Sequence, residues 1–226
     1  MGDSDLKIVE EEYHIGHLLT DGMNRLMIDY KDIISGIGSK TNCLARTFPN
    51  IGTDAKCVLF NAQCCNLFGI EMIDVNSKQF DLLCLKWRKC VRYVLNISPR
   101  THNDFLPMLI ESQSIQCQIY SRILSFFHKG YHHSSSYVSF FFRNSLIGMY
   151  SYISRNIYNI SNRINTSFQE IIRRPLNWVK NKCKPKFEYD WRVNMIKELL
   201  MCRDGALECN LSKIEIDELL NLICTM

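Results

Sequence analysis

Phe80, Leu83, Cys84, Trp87, Val91 and Val94 recur every three or four residues between Ser77 and the dipeptide Ser98-Pro99. That spacing belongs to an α-helix and not to a strand, so it fixes a helix with one apolar stripe from Ser77 to about Leu95. Pro99 disfavours helical backbone at the residue before it and ends the run. The other half of the helix carries Lys78, Lys86, Arg88, Lys89 and Arg92, with Leu82 and Leu85 among them. Trp87 continues the apolar stripe and reads as core. Ten Gly and five Pro in 226 residues are too few for a turn-rich all-β design.

The rest of the chain predicts a mainly α protein: a helical bundle with a short N-terminal β-hairpin over residues 1–20. Ile8 and Val9, then Tyr13, Ile15 and Leu18, flank the acidic bend Glu10-Glu11-Glu12. Gly16, between His14 and His17, suits a close backbone approach. A helical domain follows over 21–174. Its first helix has Asp21 as cap and Met23, Met27, Tyr30, Ile34, Ile37 and Leu44 at helical spacing, weakened in the middle by Gly36 and Gly38. The segment 54–68 is apolar nearly all round and predicts a helix buried on most sides. Further helices are expected over 103–110, 114–128, 135–149 and 150–164. Ser167-x-x-Glu170 and Ser212-x-x-Glu215 announce two helix starts as capping boxes. Residues 175–189, with Lys180, Lys182, Lys184 and Lys186, read as a basic linker, and 190–226 as a C-terminal helix pair.

The net charge of +4 conceals an asymmetry. Residues 1–34 hold three bases against eight carboxylates, residues 35–190 twenty against nine, and residues 191–226 four against six. A basic body attracts polyanions. Eleven Cys without an export signal read as reduced thiols, and those within helical runs as small hydrophobes. The chain is therefore expected to be intracellular, nuclear or cytoplasmic, and not secreted. The apolar run 137–142 ends at Arg143, far short of the roughly 20 residues a membrane span needs, so no membrane role is expected.

Complete catalytic constellations are missing from the sequence. Cysteines 183, 202, 209 and 224 are too widely spaced for a zinc knuckle or finger. His128, His132 and His133 fall by a Ser-rich loop. No nucleophile elbow, phosphate-binding Gly-rich loop or paired carboxylate motif occurs. What stands out positively is the basic helix and the turn after it: Lys86, Arg88, Lys89, Arg92 and Arg100 are the residues expected to contact nucleic-acid phosphates.

The order of these blocks resembles the C-terminal part of reverse transcriptases from LINE-type, non-LTR retrotransposons. His14-Ile15-Gly16-His17 is similar to the segment after the polymerase palm. Asn42-x-x-x-Arg46-x-Phe48 is similar to the family's helix end, and Lys56-x-x-Leu59-Phe60 to Cys64, with Phe68-Gly69, to a block further on. Trp87-Arg88-Lys89-x-x-Arg92, Pro99-Arg100-Thr101-His102 and Leu106-Pro107 resemble the most distinctive thumb block. Ile115–Phe126, Glu198-Leu199-Leu200-x-x-Arg203-Asp204-Gly205, Leu211-Ser212 and Ile223-Cys224-Thr225 continue the likeness. Ile15 stands where the family has Leu, and Phe68 where it has Tyr. The resemblance implies a thumb-like fragment that grips template–primer duplex, with His14, Gly16 and His17 as primer-grip residues. Fingers, palm and their aspartates are missing, so it implies no catalytic residue and no cofactor in this chain, Mg²⁺ belonging to the missing palm. RNA or an RNA–DNA hybrid is the implied partner, bound without sequence preference; a separately supplied palm-bearing protein is another. The alternative is a helical protein–protein interaction module without a nucleic-acid role.

Overall fold

The computed structural model describes residues 30–146 except 66, then 151–184, 191–205, 207 and 211–225, plus the backbone of three short N-terminal strands. The protein is mainly helical. The hairpin expected over residues 1–20 lies largely outside the described residues. The strands, β1 (Glu11–His14), β2 (His17–Asp21) and β3 (Leu26–Ile28), pair antiparallel in that order.

Helix α1 (Tyr30–Thr47) begins at Tyr30 and not after Asp21, which closes β2 instead. Its inner face is Tyr30, Ile33, Ile37, Thr41 and Leu44. The Tyr30 hydroxyl donates to the Asp74 carbonyl at 2.6 Å and accepts from Ser77 Oγ at 2.9 Å, tying this helix to the segment ahead of the basic one. Gly36 and Gly38 do not interrupt α1. Gly38 has a packing reason: a Cβ there would stand 2.6 Å from Lys86 Cε, so the lysine stem lies where a side chain would be.

Helix α2 (Thr53–Leu59) widens into a π-type turn at Phe60–Cys64, and the chain then reverses at Gly69 with φ of 74°. The expectation of a segment buried on most sides is corrected here. Cys57, Phe60, Cys64 and Leu67 point inward, but Val58 is 67% exposed and Phe68 50%. Leu59 and Cys65 pack half-buried against the core beside them, so the segment is part covered and part in water.

Helix α3 (Lys78–Leu95) matches its expected span, with Ser77 accepting the Phe80 N–H as N-cap. The whole stripe from Phe80 to Val94 is buried, with Trp87 1% exposed. Burial of each such large side chain contributes about 1.5–3 kcal/mol, which anchors α3 at the centre of the bundle.

Helices α4 (Phe105–Leu109), α5 (Ile115–Tyr131), α6 (Ser136–Asn144), α7 (Tyr152–Arg163), α8 (Phe168–Arg173) and α9 (Leu176–Lys182) complete the body. Helix α5 runs through Gly130 and does not stop before it. The missing side chain is what lets α6 approach, since a Cβ there would meet Phe142 Cε2 at 2.3 Å. Asn156 of α7 accepts the Val75 N–H at 3.1 Å and donates to the Ile73 carbonyl, satisfying a buried loop from across the core. Both expected capping boxes form: Ser167 with Glu170, and Ser212 with Glu215.

The expected linker is corrected in its first half. Pro175 precedes α9, where its lack of an N–H costs nothing, and Val179 and Cys183 are buried. The indole of Trp178 lies between Arg174 and Lys182, at 5.6 and 5.2 Å. Residues 185–190 lie outside the described residues. Helices α10 (Trp191–Arg203) and α11 (Lys213–Thr225) form the expected C-terminal pair. Their Val193, Ile196, Leu200, Ile216, Leu220 and Ile223 join the same hydrophobic core as α1 and α3.

Candidate functional site

The five basic residues expected to contact phosphates do not share one face. Consecutive helical residues turn by about 100°, which puts Lys86 and Arg88 about 200° apart on opposite flanks of α3. Lys86 is half-buried across Gly38, and Arg88 is half-buried on the other side. Lys89 stands on the crest of the exposed face, and Arg100 is exposed in the turn beyond the helix. Among the described residues none of these four forms an ion pair or side-chain hydrogen bond, so their charge is available to a ligand.

Arg92 is different. Its Nη2 donates to the Thr101 carbonyl at 2.6 Å and to Asn103 Oδ1 at 2.8 Å. Burial, and then the neighbouring Arg88, hold its guanidinium below the ordinary arginine pKa. Its Nε is buried without a hydrogen-bond partner. This residue fastens the following turn to α3. Asn96 ends the helix in left-handed conformation at φ of 49°, and the Ile97 N–H returns to the Arg92 carbonyl at 3.1 Å. That closure is the Schellman type, with buried Ile97 as its apolar contact. Thr101 Oγ1 donates to the Ser98 carbonyl at 2.7 Å. The segment Ser98-Pro99-Arg100-Thr101 is thus a locked turn with Thr101 buried and Pro99 and Arg100 exposed.

The C-terminal helices brace this block. Arg203, at the end of α10, donates to the carbonyls of Leu95 at 2.6 Å and Asn96 at 2.8 Å. A cation is thereby placed at the negative end of α3, where carbonyls lack helical partners. Asp217 of α11 steadies it at 3.7 Å. The next residue, Asp204, accepts the Thr53 N–H at 2.7 Å and the Thr53 hydroxyl. The Gly52 cap of α2 has no side chain to offer, so Asp204 caps that helix from the far end of the sequence. Sequence reasoning used Arg203-Asp204 only for a motif likeness and missed this role. Adjacent side chains that cap two different helices leave no periodic signal.

Of the primer-grip residues, His14 and His17 are paired backbone positions of β1 and β2, and Gly16 lies outside the described residues. Leu82, Leu85 and Tyr93 are 55%, 40% and 56% exposed on the same side of α3 as Lys89. Among the described residues the cysteines form no disulfide. Burial pushes the Cys57 and Cys84 thiols up to about 11 and those of Cys65 and Cys183 to about 12, so they stay protonated at neutral pH. His128 and His132 are occupied: their Nε2 atoms donate to the Arg174 and Ile172 carbonyls at 3.0 and 2.9 Å. Among the described residues no helix is long and apolar enough to cross a membrane. No family model, curated protein or solved structure matches the chain.

Proposed function

We propose that the chain is a non-catalytic, intracellular nucleic-acid-binding module that meets the phosphate backbone of an RNA or RNA–DNA duplex through α3 and the turn after it. In this reading the chain is a thumb-like bundle from the C-terminal part of a LINE-type reverse transcriptase, preceded by a hairpin carrying His14, Gly16 and His17. The observation that supports it best is the pair Lys89 and Arg100, exposed and without an ion pair or side-chain hydrogen bond among the described residues, carried on a helix and turn braced by Arg92 and Arg203. Exposed cations on a braced helix and turn suit a sequence-independent contact with phosphates. Mg²⁺ would belong to a palm on another protein or another part of the polymerase.

The exposed Leu82, Leu85 and Tyr93 favour a second reading, a protein surface docked on the same helix face. One experiment separates the two. Binding of the full chain to a labelled RNA–DNA hybrid, measured across salt concentrations, should weaken steeply as salt rises. No binding, or binding indifferent to salt, would remove the duplex reading. Substituting Leu82→Ser and Leu85→Ser should leave hybrid affinity nearly unchanged, and should abolish capture of a palm-bearing protein if that face is the dock.

A further inference from the structure

Helix α6 turns its aromatics the wrong way for a core. Phe142 is buried, wedged over Gly130 and in edge contact with Phe126 at 5.3 Å and Phe127 at 6.1 Å. Val138, half-buried against the core, joins that ring in anchoring α6. Tyr137 and Phe140 face away from it, Phe141 touches its edge at 5.7 Å, and the three are 86%, 69% and 61% exposed. Phe126 of α5, 39% exposed, extends the surface onto the neighbouring helix. Three large rings on one short helix are far more apolar exposure than isolated surface residues explain.

The charge around these rings narrows the occupant. No Asp or Glu occurs anywhere from Ser112 to Gln169, while the two helices that carry the rings hold Arg122, Lys129 and Arg143. Arg122, Phe126 and Lys129 follow one another at spacings of four and three, which aligns them along one ridge of α5. Arg122 donates to the Leu67 carbonyl at 2.9 Å, and Arg143 lies 5.0 Å over the Tyr131 ring; both remain exposed, as does Lys129. Bases bordering a row of open rings, with no carboxylate in the stretch, complement a ligand that offers phosphates and flat π-faces together. A duplex hides its base faces by stacking. An unpaired strand does not.

We infer that the α5–α6 face binds single-stranded nucleic acid, with unpaired bases stacked on Tyr137, Phe140 and Phe141 and phosphates met by Lys129 and Arg143. This goes beyond the duplex reading of α3 and does not depend on it.

The test uses the full chain and two probes, a labelled oligouridylate about ten nucleotides long and a blunt RNA–DNA hybrid. The wild-type protein should bind the oligouridylate, more weakly as salt rises. The triple variant Tyr137→Ala, Phe140→Ala, Phe141→Ala should lose that binding on the order of tenfold or more, with unchanged circular dichroism and unchanged hybrid affinity. The pair Lys89→Ala, Arg100→Ala should do the opposite, so failure of either surface is seen separately. If the triple variant is misfolded, single Phe140→Ala and Tyr137→Ala variants, together with photo-crosslinking of a 4-thiouridine oligomer mapped to residues 137–143, decide the matter. Undiminished oligouridylate binding by folded variants, crosslinks elsewhere, or no wild-type binding would overturn the inference. So would loss of binding to phosphatidylserine vesicles in the variant with oligouridylate binding untouched, which would make the face a lipid surface.

Discussion

Arg92 and Arg203 on one side, Lys89 and Arg100 on the other, occupy the same small block of the molecule and do opposite things with the same charge. The two arginines spend their donors on backbone carbonyls at the end of α3 and in the turn after it. The other two residues touch nothing charged among the described residues. A cluster of bases in sequence is therefore two populations in space: one that holds the block rigid and one that the rigid block displays.

The contrast can be broken hardest at the element both populations stand on. Trp87→Ala should cost about 3–5 kcal/mol by denaturant unfolding and lower hybrid affinity only by depleting folded protein. If affinity per folded molecule also falls, Trp87 has a role outside the core. Arg203→Ala strips two carbonyls of their donor and should cost about 2 kcal/mol, read as a lower Tm, although Arg203 lies outside the cluster expected to bind. Arg92→Ala should cost about 1–2 kcal/mol and leave the salt slope of hybrid binding unchanged; a shallower slope would return Arg92 to the binding group.

Lys89→Ala and Arg100→Ala should each stay within about 0.5 kcal/mol of wild type in stability and each reduce the slope of log affinity against log salt by about one. The smallest effect concerns pH. The backbone N–H and hydroxyl of Ser167 hold the Glu170 carboxyl below its ordinary value of 4.5, and Ser212 does the same for Glu215. A carboxyl whose folded pKa is depressed adds stability that is complete above that ordinary value and fades as pH falls towards the folded one. Glu170→Gln removes the titrating group and should flatten that part of the Tm-against-pH curve.

The helical periodicity of α3, its end near Ser98-Pro99, the burial of Trp87 and both capping boxes were legible in the chain because each is a local rule acting over a few residues. The exposed bases were legible as a composition, but their division was not. Arg92 looks like Lys89 until the turn at Thr101 and Asn103 is folded back against it. The first half of the expected linker differs for a similar reason: its lysines announce solvent, while Val179, Cys183 and Trp178 bind α9 to the body. Gly38, a weak point of α1 by propensity, and Gly130, just past the expected end of α5 at residue 128, are both places where another element comes close.

By itself the sequence determined a mainly helical chain, with a basic middle and an apolar stripe that must become a core. Periodicity, capping chemistry and charge depend on neighbours along the chain, so no fold was needed to see them. Only the tertiary structure decided which arginines cap helices, which glycines admit a neighbour and which aromatics of α6 are left in water. Those outcomes depend on residues up to 151 positions apart, such as Thr53 and Asp204, whose contact no local pattern encodes.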